Sequence, residues 1–118
     1  MTETEFAIRS GLALLYPVYK GTYERQAPTS GPIGLRDLTI ARVKDVSRVI
    51  DYVESRPDLD RTRVGYFGLS LGSFNGVISA AIEPRIRAAA LMGAGLPSVA
   101  YPPEIDGLNF APRVTIRR

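Results

Sequence analysis

GYFGLSLGS, residues 65–73, joins a short apolar run to a longer one of a different pattern. The run that leads into it, Arg63 to Gly68, has the length and apolar character that predict a strand. The run that follows, Leu71 to Ile82, is apolar on nearly all sides, which is typical of a buried helix. Ile86 to Met92 is again near-continuously apolar, as strands covered on both faces are. We therefore predict a strand–helix–strand unit with parallel strands.

Ser70 lies at the centre of the turn between the predicted strand and helix, with Gly68 and Gly72 two positions before and after it. A G-x-S-x-G pattern in a strand–turn–helix context is typical of a nucleophile elbow, a tight turn that strains the serine backbone and exposes its hydroxyl. We expect side chains at either glycine position to collide in such a turn. The N–H of Leu71, at the positive end of the helix, is placed to donate to an oxyanion.

The rest of the chain adds one strand and one helix to the predicted fold. Gly11 to Val18 is a short apolar run with a proline near its end, which predicts a buried strand. Lys20 to Gly34 is rich in Gly, Pro, Ser and Thr and predicts a long surface loop, whereas Asp37 to Ser55 has apolar residues at helical spacing. The alternation of strands and helices favours one α/β domain over residues 1–118, a minimal three-layer α/β/α sandwich with a mostly parallel sheet.

The composition argues against several kinds of site. The chain has no cysteine and no histidine, so we expect neither a disulfide nor a zinc site, and we predict no cofactor. The net charge of +3 comes with scattered arginines and no basic run interleaved with aromatics, which argues against nucleic-acid binding. No apolar run approaches the roughly 18 residues of a membrane helix. We expect a soluble, cytoplasmic protein that binds neither nucleic acid nor membrane.

The chain resembles the α/β-hydrolase superfamily, and most closely its acetyl xylan esterase, dienelactone hydrolase and prolyl oligopeptidase group. The most specific part is YPVYKGTYER, residues 16–25. The other similar segments are DVSRVIDYVESRPDLD (45–60), GYFGLSLGS (65–73), EPRIRAAALMGAGLP (83–97) and LNFAPRV (108–114). The resemblance implies an esterase that acts on small carboxylic esters, with Ser70 as nucleophile and the Leu71 N–H as oxyanion donor. It covers only the central part of such an enzyme, so we expect a truncated α/β-hydrolase core.

The absence of histidine leaves the proton acceptor for Ser70 open, because a serine hydroxyl needs a base near pH 7 to be a useful nucleophile. In an open α/β sheet the site lies beyond the carboxyl ends of the strands. Candidates for the base or acid that follow predicted strands are Lys20, Glu104 and Asp106. Lys20 needs burial to become neutral, and a carboxylate is a weak base unless it is desolvated. Candidates for the walls of a substrate pocket are Tyr16, Tyr19 and Asn75. For each of these residues, an ordinary loop or surface position is the alternative.

Two other interpretations are a non-catalytic hydrolase remnant that serves as a binding or self-associating module, and a site shared between chains. In the family, the strand that separates the counterparts of Gly11–Val18 and Arg63–Gly68 precedes Gly11. A sheet built from this chain alone is then expected to have bare edges and uncovered apolar faces. We therefore predict a symmetric homodimer or higher homo-oligomer, in which Lys20 or Glu104 of one chain approaches Ser70 of another.

Overall fold

A computed structural model describes residues 2–27, 30–93, 96 and 100–115 of the chain. Within these residues the helices are α1 (Glu3–Arg9), α2 (Gly31–Ser55), α3 (Leu71–Ile82) and α4 (Gly107–Phe110), and α4 continues into a 3-10 turn, Ala111–Arg113. The strands are β1 (Val64–Leu69) and β2 (Ile86–Met92). The fold is a small α/β fold, in agreement with the predicted class. None of the described helices is long and apolar enough to cross a membrane.

The predicted strand–helix–strand unit is confirmed. β1 and β2 are parallel neighbours, with Tyr66 opposite Ala89 and Leu69 opposite Met92. The bounds of α3 and β2 are those predicted, whereas β1 lies one residue later than the predicted Arg63–Gly68. Because Leu69 belongs to the sheet, the strand ends directly before Ser70.

The predicted strand over Gly11 to Val18 is wrong, since this segment forms neither strand nor helix. Hydrogen bonds to α2 set the course of the chain at the end of this segment. The N–H of Lys20 donates to Asp45 Oδ2 at 2.8 Å, and the Arg25 guanidinium donates both to Asp45 and to the Val18 carbonyl, the latter at 2.6 Å. The described sheet therefore has two strands rather than three.

α2 begins earlier than predicted, at Gly31 rather than Asp37, so the end of the expected Lys20–Gly34 loop is helical. Pro32 lies in the first turn, where a missing N–H removes no intrahelical bond. Leu38, just inside the predicted start, is 5% exposed. Within the added part of α2, Leu35 packs against the core cluster that contains Val43 and Ile78, and this contact outweighs the loop-like composition.

Both long helices cover the same face of the sheet. Val46 and Ile50 of α2 pack around Ile86 and Tyr66. On α3, a Cβ added to Gly76 would lie 2.6 Å from the Tyr66 ring, which shows how closely this helix approaches β1. The described residues thus form two layers, and a third layer of the predicted sandwich is not found among them.

The opposite face of the sheet is apolar and open. Phe67 and Leu69 alternate with the covered residues of β1, and Met92 lies opposite Leu69 in the register. Their exposures are 50%, 57% and 53%. We call these three residues the bare face, and Ser70 directly follows its strand.

A second core cluster anchors the segment after β2. Ile105 is fully buried against Val43 of α2 and Ile78 of α3, and Tyr101 and Phe110 pack around them. This contact fixes residues 100–115 beside the helices rather than on the bare face.

Candidate active site

Ser70 is the N-cap of α3, directly after the last residue of β1, as the elbow prediction requires. Its backbone angles are φ 53° and ψ −112°, and Ser70 is exposed to solvent. These angles are near those of the first central position of a type II′ turn, where glycine is favoured and other residues are strained. The expected combination of an exposed serine and an unfavourable backbone is confirmed.

The two glycines that flank Ser70 are not equivalent. A Cβ added to Gly68 would lie 2.5 Å from the carbonyl oxygen of Gly72 and 2.9 Å from the N of Ser73. A Cβ added to Gly72 would meet nothing within 4 Å. The predicted collision therefore exists at Gly68, and the prediction is wrong for Gly72, whose hydrogen points away from the turn.

Hydrogen bonds from Ser70 and Ser73 tie the turn to the end of β2. The Ser70 N–H donates to the Met92 carbonyl at 2.8 Å. The fully buried Ser73 hydroxyl lies 2.8 Å from the Gly68 carbonyl and 2.6 Å from the Met92 carbonyl, so its single proton is shared between two acceptors. Sequence reasoning missed this role of Ser73. The available signal was a hydroxyl in the first turn of an otherwise apolar, buried helix.

Tyr66 supports the turn from inside the protein. Its hydroxyl donates to the Gly72 carbonyl at 2.8 Å. Burial raises the pKa of Tyr66, and the neighbouring Tyr19 raises it further, so the phenol stays a proton donor. Sequence reasoning did not assign Tyr66 to the site, since an aromatic residue in a strand is most often core.

The start of α3 can stabilise negative charge beside Ser70. The N–H groups of Ser73 and Phe74 both donate to the Ser70 carbonyl, at 2.9 and 3.2 Å. The Leu71 N–H is the first of the helix, where the geometry provides no intrahelical acceptor. It therefore lies at the positive end of the helix dipole, next to the serine side chain.

Of the three candidate bases or acids, Glu104 and Asp106 have side-chain polar contacts, whereas the contacts of Lys20 are made by its backbone. The N–H of Lys20 is bound by Asp45 of α2, as described above, and its carbonyl accepts from Arg42 Nε at 3.0 Å. Glu104 lies 3.9 Å from Arg36 of α2. Asp106 caps α4 by accepting from the Leu108 N–H at 3.0 Å. A role for any of them at Ser70 stays a prediction.

The three candidate pocket residues lie in different surroundings. Tyr16 is 82% exposed beside α2. Tyr19 packs into the core cluster of α2 and Tyr66, and burial raises its pKa. Asn75 is 5% exposed on α3, and its Oδ1 has no hydrogen-bond partner among the described residues. A substrate pocket formed by these three side chains stays a prediction.

Comparisons with known proteins yield no relative of this chain. No family model matches it, and neither the curated proteins nor the solved structures include a match. Its function is therefore inferred from its residues and from the geometry of the turn.

Proposed function

We propose that this chain is a serine hydrolase of carboxylic esters, with Ser70 as the nucleophile and the Leu71 N–H as an oxyanion donor. The observation that supports this most directly is the position of Ser70, exposed and at φ 53° between β1 and α3. A nucleophile elbow requires this combination of an exposed serine and a strand–helix junction. The resemblance to α/β hydrolases supports the same reaction class and a truncated version of that fold.

In the proposed reaction, Ser70 Oγ attacks the ester carbonyl carbon, and the oxygen that becomes negative accepts a hydrogen bond from the Leu71 N–H. The tetrahedral intermediate then expels the alcohol, leaving an acyl group on Ser70 that water removes. The proton of Ser70 has to reach a base during the attack. Because the chain has no histidine, we expect a rate several orders of magnitude below that of a complete triad.

The weak base restricts the proposed substrates to activated or short acyl esters. A p-nitrophenolate ion leaves without being protonated, so such esters need no general acid. Lys20, Glu104 and Asp106 remain the candidates for the base, within one chain or across two chains. No metal or cofactor is needed for this reaction.

A non-catalytic role is the second candidate function. It is favoured by the lack of histidine and by the side-chain contacts of Glu104 and Asp106, which are made with α2 and α4. In that case the elbow is a structural remnant, and the protein is a binding or self-associating module. The apolar bare face is one surface available for self-association.

The test is covalent labelling by a fluorophosphonate, read by mass spectrometry, together with a burst assay on a p-nitrophenyl ester. Wild type is expected to be labelled slowly at Ser70, and Ser70→Ala is expected to lose both the label and the burst. Ser10→Ala, at another exposed serine, is the matched control and should keep both. Loss of labelling in Lys20→Ala but not in Glu104→Gln would identify the base. A folded wild-type protein that stays unlabelled after long exposure would favour the non-catalytic role.

A further inference from the structure

A cleft of about 390 Å³ opens between α2 and the segment before it. We call it the α2 cleft. The cleft is shallow and largely open to solvent, so a ligand bound there keeps part of its surface exposed. It is lined by residues between Leu15 and Arg25 and by residues between Asp45 and Tyr52, so it shares no residue with the turn around Ser70.

An ion pair between Arg25 and Asp45 joins the two sides of the α2 cleft. The Arg25 guanidinium bonds both carboxylate oxygens of Asp45, at 2.9 and 3.1 Å, and also donates to the Val18 carbonyl. The N–H of Lys20 donates to the same carboxylate at 2.8 Å. These bonds leave little capacity in Asp45 or Arg25 for a ligand.

The walls of the cleft are apolar and aromatic. Leu15, Pro17 and Val49 contribute aliphatic surface, and Tyr16 and Tyr52 contribute rings. The Tyr16 residue is 82% exposed, so its ring gains most if a flat apolar group covers it. A planar ligand therefore fits this surface better than a chain of hydroxyl groups.

Arg48 supplies a cation at the edge of the cleft. Its side chain is 84% exposed, and its ion pair in the described structure is a long contact of 3.9 Å with Asp51. The carboxylate of Asp51 is held more closely by Arg85, at 2.9 Å. The Arg48 guanidinium thus has donors available for a second carboxylate, which its planar fork can bind through two hydrogen bonds.

We propose that the α2 cleft binds a small aromatic carboxylate, with the ring against Tyr16 and Val49 and the carboxylate on Arg48. The binding is non-covalent and does not depend on the proposed esterase reaction at Ser70. The charge of Arg48 selects an anion, and the apolar walls select a ring over a small hydrophilic anion.

The test is a titration of the full ¹⁵N-labelled chain with 2-naphthoate, followed by the amide shifts of Val49 and Tyr52. We expect saturation with a dissociation constant on the order of 0.1–1 mM, which is usual for a ligand of this size. The neutral analogue 2-naphthamide should bind about tenfold more weakly, because it removes one charge-assisted contact. Arg48→Gln should weaken 2-naphthoate by a similar factor, and Arg87→Gln, which removes the same charge from β2, should leave its affinity unchanged.

Several results would overturn the α2-cleft proposal. One is the lack of saturable shifts at Val49 and Tyr52 at ligand concentrations of about 10 mM. Equal affinities for 2-naphthoate and 2-naphthamide on wild type would do so too, and this comparison does not depend on how any variant folds. Binding of acetate as tight as that of 2-naphthoate would also contradict the proposal, because it would show that the aromatic ring contributes nothing to the affinity. Ser70→Ala should bind 2-naphthoate like wild type. A failure of the esterase proposal therefore does not affect the proposal for the α2 cleft.

Discussion

The backbone of Ser70 is strained, and no capping hydrogen bond from its side chain offsets that strain. The residue has φ 53° and ψ −112°, and its side chain makes no capping hydrogen bond to α3. A serine in that position is less stable than a glycine would be, and its exposed hydroxyl is the part of the residue that can serve a function outside the fold. Substitutions at Ser70 can therefore separate the effect of backbone strain on stability from the proposed role of the hydroxyl in the reaction.

Replacing Ser70 by glycine is expected to raise the free energy of unfolding by about 1 kcal/mol. Relief of roughly 1–3 kcal/mol of strain exceeds the ~0.5–1 kcal/mol cost of the greater chain entropy of glycine. Urea denaturation measures the difference. Ser70→Ala removes the same hydroxyl but keeps the strain, so it should be less stable than Ser70→Gly. Equal stability of Ser70→Gly and Ser70→Ala would show that the Ser70 backbone is not strained.

The two flanking glycines allow a matched comparison. Gly68→Ala should lower the free energy of unfolding by about 2 kcal/mol or more, because its Cβ meets backbone atoms of Gly72 and Ser73 that cannot move without opening the turn. Gly72→Ala should be neutral or raise it by about 0.5–1 kcal/mol, since alanine is the better helix former and the space is open. Thermal or urea unfolding checks both. Similar decreases in the free energy of unfolding for Gly68→Ala and Gly72→Ala would contradict the difference in space around the two glycines.

At the scale of the elements, Arg85 connects the start of β2 to the end of α2. Its guanidinium bonds Glu83 at 2.7 Å and Asp51 and Glu54 at 2.9 Å. Hydrogen bonds from Arg85 hold the pKa of Glu83 below its ordinary value, against the opposing effect of burial. The group of charges thus couples the position of the sheet to that of the long helix.

This coupling predicts a pH dependence of stability. Because the pKa of Glu83 is lower in the folded than in the unfolded chain, the unfolded chain binds its proton more tightly. The stabilisation is complete above the ordinary pKa of about 4.5 and is lost as the pH falls through the lowered folded value. Urea titrations at pH 6, 4 and 3 should show a larger loss for wild type than for Glu83→Gln. Parallel losses would exclude Glu83 as a contributor.

The elements also show what sequence can and cannot predict. α3 and β2 were predictable because an apolar helix and an apolar strand are local patterns, and Ser70 followed from the junction between β1 and α3. The segment Gly11–Val18 has an equally strand-like composition, yet its course is set by the contacts of Lys20 and Arg25 with α2. Such contacts join residues 20 or 25 positions apart, so no local pattern contains them.

Contacts between residues far apart in sequence also limit what can be predicted of the candidate site. The strain at Ser70 was predictable from the motif, but the roles of Ser73 and Tyr66 depend on where β2 and α3 meet. The α2 cleft depends on the path of a segment that was predicted to enter the sheet. A strand at that position would place Leu15, Tyr16 and Pro17 in the sheet and not beside α2, so the strand-like pattern does not predict this lining.

At the scale of the whole molecule, the bare face is a departure from a fully packed α/β protein. Phe67, Leu69 and Met92 are about half exposed, and each strand of the described two-stranded sheet has one edge without a neighbouring strand. Unpaired strand edges and apolar surface both favour association. We propose that a second copy covers this face, because a two-fold arrangement meets the same apolar surface with itself.

Light scattering after size exclusion at micromolar concentration tests this proposal. We expect a mass near twice the 12.9 kDa of one chain. Phe67→Glu should shift the mass to that of a monomer, because it places a charge in the apolar contact, whereas Tyr23→Glu, at an exposed position outside the sheet, should not. A wild-type mass of one chain would exclude the dimer, and with it any site shared between two copies.

The parallel pairing of β1 with β2 has a consequence for the speed of folding. Each residue of β1 pairs with one only 22 or 23 positions further along the chain, across a single helix. The entropy lost on closing a loop grows with the logarithm of its length, and chains whose contacts are close in sequence cross their folding barriers fastest. The strained turn at Ser70 lies inside this short loop, so the strand–helix–strand unit can assemble the turn before residues 100–115 pack against the helices.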